Sequence, residues 1–89
     1  MTRDELVKAA DRERIRRSSY SLEGGLPPEK YVLACEHGHW VIYYSERGER
    51  RDEMFFDIEQ DACNHLFLWL VEDLTTREVH VHRRDVWGL

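Results

Sequence analysis

The chain has 89 residues, of which 42% are hydrophobic and 35% are charged, and its formal net charge is -5. These values are typical of a single soluble domain with one core, and they leave no room for a large active-site architecture. Apolar runs are shorter than the roughly 20 residues of a membrane helix, and residues 1–17 lack the apolar core of a secretory signal. We therefore expect a cytoplasmic protein that does not bind a membrane, with Cys35 and Cys63 reduced.

The charge is unevenly distributed along the chain. Residues 1–17 carry six basic and four acidic side chains, whereas residues 35–73 carry three basic and ten acidic ones. A strongly acidic surface repels nucleic-acid phosphates and attracts basic proteins. Basic segments such as RERIRR are better explained as solvated helix faces, so the sequence predicts no nucleic-acid partner.

The first predicted element is a helix. Thr2 and Glu5 have the spacing of a capping box, and the apolar positions that follow predict a helix running to about Arg16. Its apolar stripe is thin, which favours packing at an edge of the domain. Residues 18–22 then predict a short strand, followed by a loop that contains Gly24 and Gly25.

Three β-prone segments follow, at residues 31–35, 40–45 and 50–56, and each intervening loop contains a glycine. This pattern predicts an antiparallel meander. A two-residue turn at His37 and Gly38 would pair Cys35 with Trp40, Leu33 with Ile42, and Tyr31 with Tyr44.

The second hairpin admits two loop lengths. A two-residue turn at Arg47 and Gly48 would place Glu53 opposite Ile42, whereas a three-residue loop with a bulge aligns Met54 with Ile42 and Phe56 with Trp40. We predict the three-residue loop, because it keeps apolar residues together on one face.

The predicted sheet has two apolar faces. The first face holds Tyr31, Leu33, Cys35, Trp40, Ile42, Tyr44, Met54 and Phe56. The second face holds Val32, Ala34, Val41, Tyr43 and Phe55. The first helix, another chain or a binding target must cover the second face, and the first helix is the plainest choice.

A second helix is predicted to cover the first face. Asp57 and Gln60 have the spacing of an N-terminal cap, and the apolar stripe that follows runs through about Glu72. After Asp73, residues 75–84 alternate between apolar and polar side chains, which suits an edge strand or an extended tail. The prediction is one α+β domain over residues 1–89, in the order α-β-β-β-β-α with about four strands.

The histidines and cysteines raise the question of metal binding or catalysis. The candidate ligands are Cys35, His37, His39, Cys63, His80 and His82. Their spacing has no zinc-site regularity, and a glycine-rich phosphate loop is absent. Cys63 and His65 lie two apart on a helix and cannot face each other. We therefore predict no metal, no cofactor and no enzymatic activity, with a Cys or His hydrolase as a minor alternative.

An interaction surface remains as the best functional candidate. Acidic residues line the predicted sheet edge and the start of the second helix, and we call six of them the acidic belt: Glu46, Glu49, Asp52, Glu53, Asp57 and Glu59. Asp61 extends the belt. Such a surface suits a basic protein partner through electrostatic steering. The apolar residues Val41, Tyr43 and Phe55 offer a second surface, for a partner or for a second copy of the chain.

The run WVIYYSERG from Trp40 to Gly48, with Phe56, Glu59, Ala62 and Cys63 opening the following helix, resembles small bacterial immunity proteins of polymorphic-toxin and contact-dependent growth inhibition systems. The likeness covers about residues 18–74 and is mainly structural. It implies a non-catalytic protein that binds and neutralises a toxin domain, commonly a basic nuclease. The alternative is a small homodimerising regulatory or protein-interaction module that pairs through the second face.

Overall fold

A computed structural model of the chain describes residues 1–77 and confirms the predicted α+β domain. Its elements are α1 (Arg3–Arg12), β1 (Tyr20–Ser21), β2 (Lys30–Glu36), β3 (His39–Glu46), β4 (Glu49–Phe56) and α2 (Glu59–Glu72), with short 3-10 turns at Arg17–Ser19 and Leu74–Thr76. The four strands form one sheet in the order β1-β2-β3-β4. No helix among residues 1–77 is long and apolar enough to cross a membrane.

The capping box of α1 is confirmed. The Glu5 backbone N–H donates to the Thr2 hydroxyl at 3.1 Å, and the Thr2 backbone N–H donates to the Glu5 carboxylate at 2.7 Å. The helix ends at Arg12, earlier than predicted, because Arg14 adopts a left-handed backbone with φ of 62°. That turn lets Ile15 enter the core and pair by an isolated β-bridge with Arg77.

The β2–β3 hairpin has the predicted register. Cys35 lies opposite Trp40, and the rest of the ladder follows as far as Lys30 and Ser45. His37 and Gly38 form the two-residue turn, and both have positive φ, as a tight hairpin of this kind requires. The turn chemistry therefore specifies which side chains share a face.

The β3–β4 hairpin corrects one prediction. Met54 does lie opposite Ile42, but the turn has two residues, and the extra residue is a bulge inside β4 opposite Tyr43. Asp52 sits in this bulge with φ of 59°, a left-handed conformation that aspartate tolerates. A bulge in the strand restores the same apolar alignment as a longer loop, so periodicity alone could not distinguish them.

The first face carries the main core, as predicted. The buried residues that form it are Leu6, Ala10, Ile15, Tyr20, Leu33, Ile42, Ala62, Cys63, Leu66 and Leu70. α2 lies across this face, and α1 packs against α2 on the same side of the sheet. The Met1 amino group donates to the Asn64 side chain at 2.6 Å, which fixes the start of α1 to α2.

The expectation that the first helix covers the second face is therefore wrong. The cover comes from the β1–β2 loop and from one arginine. Gly24 donates its backbone N–H to Leu33 at 3.0 Å, and the Tyr43 hydroxyl donates to the Gly25 carbonyl at 2.6 Å. The Arg50 guanidinium lies 4.3 Å from the centre of the Tyr43 ring.

This loop exists because β1 runs parallel to β2, pairing Tyr20 with Tyr31. The sheet is thus mixed, whereas the sequence predicted an antiparallel meander. A parallel neighbour cannot be reached by a hairpin, so the chain must cross one face of the sheet. The β1–β2 loop crosses the second face, so α1 packs with α2 on the first face instead.

α2 lacks the predicted side-chain cap. Its N-cap is Ile58, which makes no side-chain hydrogen bond, and Asp57 lies one residue earlier. Glu59 and Asp61 place negative charge in the first turn, where the helix dipole favours it. In the predicted last strand over residues 75–84, residues 75 and 76 lie in the 3-10 turn, Arg77 forms the isolated bridge with Ile15, and residues 78–84 lie outside the described residues.

Candidate protein-binding site

The acidic belt divides into groups rather than forming one continuous surface. Glu46 and Glu49 lie beside the β3–β4 turn, where the Arg51 guanidinium approaches their carboxylates at 2.8 and 3.6 Å. All three side chains lie near solvent, so these ion pairs are weak and screened by salt. Arg51 nevertheless reduces the negative potential at this end of the belt.

Glu53 belongs to a second group, on the opposite side of the sheet. Arg50 donates to Glu53 at 3.1 Å and makes two hydrogen bonds to Glu36, one of them at 2.9 Å. The hydrogen bond from Arg50 holds the pKa of Glu36 below its usual range. This arginine therefore pairs with two carboxylates, offsetting one of their two charges, while its planar group covers Tyr43.

The third group lies where β4 leads into α2. Glu59 accepts a hydrogen bond from Arg3 at 2.8 Å, whereas the exposed Asp57 carboxylate lies 3.5 Å from the His39 ring. Within residues 1–77, Asp52 and Asp57 are the belt members that no arginine contacts.

The three apolar residues predicted to bind a partner have different environments. Val41 and Tyr43 are fully buried, and the β1–β2 loop and Arg50 contact Tyr43, so a partner cannot reach these two side chains unless the domain rearranges. Phe55, on the same face, is 65% exposed. Other exposed large apolar side chains are Met54 on the first face, Ile58 just before α2, and Leu68 on α2.

The long free edge of the sheet is β4. It pairs only with β3 among the described strands, and six of its eight residues are exposed. An unpaired edge presents backbone N–H and C=O groups that another chain can bind. The charged residues 49–53 and the apolar residues 54–56 together make this edge a mixed polar and apolar surface.

A cavity of about 310 Å³ opens beside the middle of β4 on the first face. We call it the acid–aromatic pocket, and its lining residues are Tyr31, Asp52, Trp69, Glu72 and Asp73. The Tyr31 and Trp69 ring centres are 6.1 Å apart, with the rings tilted by 52°. The pocket therefore joins two aromatic surfaces and three carboxylates.

Hydrogen bonds fix one wall of this pocket. Asp73 accepts from the Thr75 hydroxyl at 2.6 Å, from the Thr75 backbone N–H at 2.9 Å, and from the Tyr31 hydroxyl at 2.7 Å. The bonds from Thr75 and Tyr31 lower the pKa of Asp73. Burial, together with this bond to a carboxylate, raises the pKa of Tyr31 well above its usual value. Asp73 is therefore ionised and Tyr31 neutral at pH 7.

The bulge in β4 brings Asp52 to the pocket. In a regular strand Asp52 would lie opposite Tyr43 and point to the second face, but the extra residue turns it towards Tyr31 on the first face. Sequence reasoning missed the pocket, although Tyr31 and the α2 stripe containing Trp69 were both assigned to this side. The missing information was the position of the bulge.

Groups suited to metal or nucleophilic chemistry remain apart. Residues 1–77 contain no cluster of three or more His, Cys, Asp or Glu side chains that could hold a metal ion. The Cys63 thiol is buried, and burial raises its pKa, which disfavours the reactive thiolate. His65 packs between the rings of Phe56 and Trp69, at 5.7 and 5.5 Å.

Comparison with known proteins identifies no relative: no protein-family profile, curated protein or solved structure matches the chain.

Proposed function

We propose that this chain is an immunity protein, which binds a basic toxin domain and neutralises it without catalysis of its own. The observation that carries the proposal is the β4 edge, an exposed strand that combines acidic side chains, apolar side chains and unpaired backbone groups. The resemblance of residues 18–74 to immunity proteins points the same way.

The charge distribution supports a basic partner. Residues 35–73, which include β4 and α2, carry ten acidic and three basic side chains. A nuclease toxin must be basic to hold phosphate, and an acidic inhibitor would accelerate encounter with it and occupy the same site. Partial pairing with Arg50 and Arg51 leaves this surface mixed in sign, and mixed charge adds specificity because a wrong partner meets like charges.

Apolar contacts would supply most of the affinity. Phe55 and Ile58 lie three residues apart where β4 leads into α2, and both large apolar side chains are more than half exposed. Burying such side chains at the centre of an interface contributes more than rim charges do. In this arrangement the acids steer the toxin, and the apolar residues hold it.

Homodimerisation is the second candidate function. Its predicted surface, Val41 and Tyr43, is covered by the chain itself, so a second copy would have to use Phe55 and the β4 edge instead. Light scattering at micromolar concentration separates the two candidates. A stable dimer that persists with a toxin absent, and that Phe55→Ser converts to a monomer, would favour the homodimer.

We expect a toxin domain to be encoded beside this gene, and co-expression of the two proteins tests the immunity function. We expect the chain to restore growth of cells that express the toxin, and to co-purify with it as a defined complex. Growth inhibition that persists although the chain is folded and abundant would refute the proposal.

A pair of charge reversals tests the acidic edge. Glu49→Lys should slow association with the toxin several-fold at low salt and much less at high salt, because rim charges act mainly on the association rate. The triple reversal with Glu46→Lys and Glu53→Lys should have a larger effect. Glu23→Lys makes the same charge change on the β1–β2 loop and serves as the control. Equal rates for Glu49→Lys and Glu23→Lys would exclude the edge as the steering surface.

A further inference from the structure

We infer that the acid–aromatic pocket binds an arginine side chain of the protein partner. The inference rests on the proposed function, since it identifies the point on the β4 side of the domain where a basic partner is anchored.

The walls of the pocket match the two recognition modes of a guanidinium group. Its flat face stacks on aromatic rings, which Tyr31 and Trp69 supply, and its edge donates paired hydrogen bonds to carboxylates, which Asp52 and Glu72 supply. A cavity of about 310 Å³ is at the small end of ligand pockets and suits one side chain better than a folded segment.

The three carboxylates of the pocket differ in how many hydrogen bonds and ion pairs they already make within the chain. Asp73 accepts hydrogen bonds from Tyr31 and Thr75, which uses much of its acceptor capacity and fixes its position. Asp52 and Glu72 form no ion pair with any arginine or lysine in the described part of the chain. The carboxylates of Asp52 and Glu72, next to the ordered carboxylate of Asp73, therefore favour a cation in the pocket.

The contrast with the rest of the acidic belt sharpens the inference. Glu46, Glu49, Glu53 and Glu59 already have arginine partners within the chain. Within residues 1–77, Asp52 and Asp57 are the belt members without an arginine partner, and Asp52 is the one of the two that lines the pocket. Because Asp52 belongs to both β4 and the pocket, a partner that docks on the β4 edge can deliver a side chain directly into the cavity.

The first experiment uses the isolated chain and a small probe. N-acetyl-arginine methylamide is titrated into the 15N-labelled protein, and the Trp69 indole N–H resonance is followed by NMR. The indole resonance is assigned by its loss in Trp69→Phe. We expect saturable shifts at millimolar probe, and none with N-acetyl-citrulline methylamide, which has the same shape without the charge. The corresponding lysine derivative should bind more weakly.

Two matched variants test whether Asp52 is responsible. Asp52→Asn removes the charge, and asparagine also tolerates the left-handed backbone at the bulge, so the fold should be retained. Asp57→Asn makes the same change at an exposed position outside the pocket. We expect Asp52→Asn to abolish saturable binding of the arginine probe and Asp57→Asn to preserve it. Equal responses to arginine and citrulline, or an unaffected Asp52→Asn protein, would overturn the inference.

The second experiment separates this inference from the proposed function. With the toxin domain, Asp52→Asn should weaken binding by about tenfold or more through faster dissociation. Glu23→Gln, which removes a charge from the exposed β1–β2 loop outside the acidic belt and the pocket, should change it little. Tight toxin binding that both variants retain would refute the pocket as an anchor and leave the immunity function standing. If no toxin binds but the arginine probe does so specifically, the immunity function fails and the pocket's chemistry is upheld.

Discussion

Arg50→Ala should lower the free energy of unfolding by about 2 kcal/mol, because Arg50 both covers Tyr43 and pairs with Glu36. The guanidinium sits 4.3 Å from the Tyr43 ring centre, and such a contact contributes about 0.5 to 1 kcal/mol when partly exposed. The paired hydrogen bonds to Glu36 join side chains about one-third exposed, so we assign them about 1 kcal/mol rather than the value of a buried pair. Removing the arginine stem from the Tyr43 ring accounts for the remainder.

Thermal unfolding followed by circular dichroism measures this effect. For a domain of this size a loss of about 2 kcal/mol corresponds to a fall of roughly 8 to 16 °C in Tm. A double-mutant cycle with Glu36→Ala should give a coupling energy of about 1 kcal/mol, which isolates the ion pair from the contact with Tyr43.

Arg51→Ala is the matched control for Arg50→Ala. Arg51 is the next residue of β4, but it is half exposed and pairs with the solvent-facing Glu46 and Glu49. Its loss should cost no more than about 0.5 kcal/mol. If Arg50→Ala and Arg51→Ala destabilise the protein equally, the conclusion that Arg50 closes the second face is wrong.

Three further predictions concern stability and thiol reactivity. Gly24→Ala should lower the free energy of unfolding, measured in urea, by more than about 1 kcal/mol, because φ is +71° and the added methyl would lie 3.3 Å from the Ala34 side chain. Gly38→Ala is the control: φ is +81° but no atom lies within 4 Å of the added methyl, so it should cost only the backbone strain. Asp73→Asn should make the free energy of unfolding less dependent on pH in the acid range. Hydrogen bonding lowers the pKa of Asp73 in the native state, so the ionised carboxylate stabilises the fold above about pH 4. That stabilisation is lost as the pH falls through the lowered pKa. Unfolding curves at neutral and acid pH measure this, and an unchanged pH slope would contradict it. Under native conditions a thiol reagent should label Cys35, which is exposed, and not the buried Cys63; rapid labelling of both would show that the α2 core opens readily.

The sequence was most informative where local chemistry and periodicity agreed. His37 and Gly38 determine the β2–β3 turn, and the turn determines that Cys35 faces Trp40, so that register followed from turn residues alone. The capping box of Thr2 and Glu5 could likewise be predicted from the sequence, because both of its hydrogen bonds are local.

The features that the sequence did not predict depend on contacts between residues far apart in the chain, which local patterns do not specify. The thin apolar stripe of α1 could pack on either side of the sheet, and the parallel β1–β2 connection decided which side was available. The sequence pattern gave no sign that Arg50 covers Tyr43, because a charged residue in a hairpin strand is ordinarily solvated. The pocket required Asp52 to leave the strand alternation, and no residue type near it signals where the bulge falls.

The two margins of the sheet are unequal, and this limits how copies of the domain could aggregate. One margin is β1, only two residues long, whereas β4 offers eight residues. A filament grows by adding strands at both sides of each subunit, so a short margin cannot template the next copy. Within residues 1–77, strand addition can therefore proceed at one side only, and such growth would stop after two molecules.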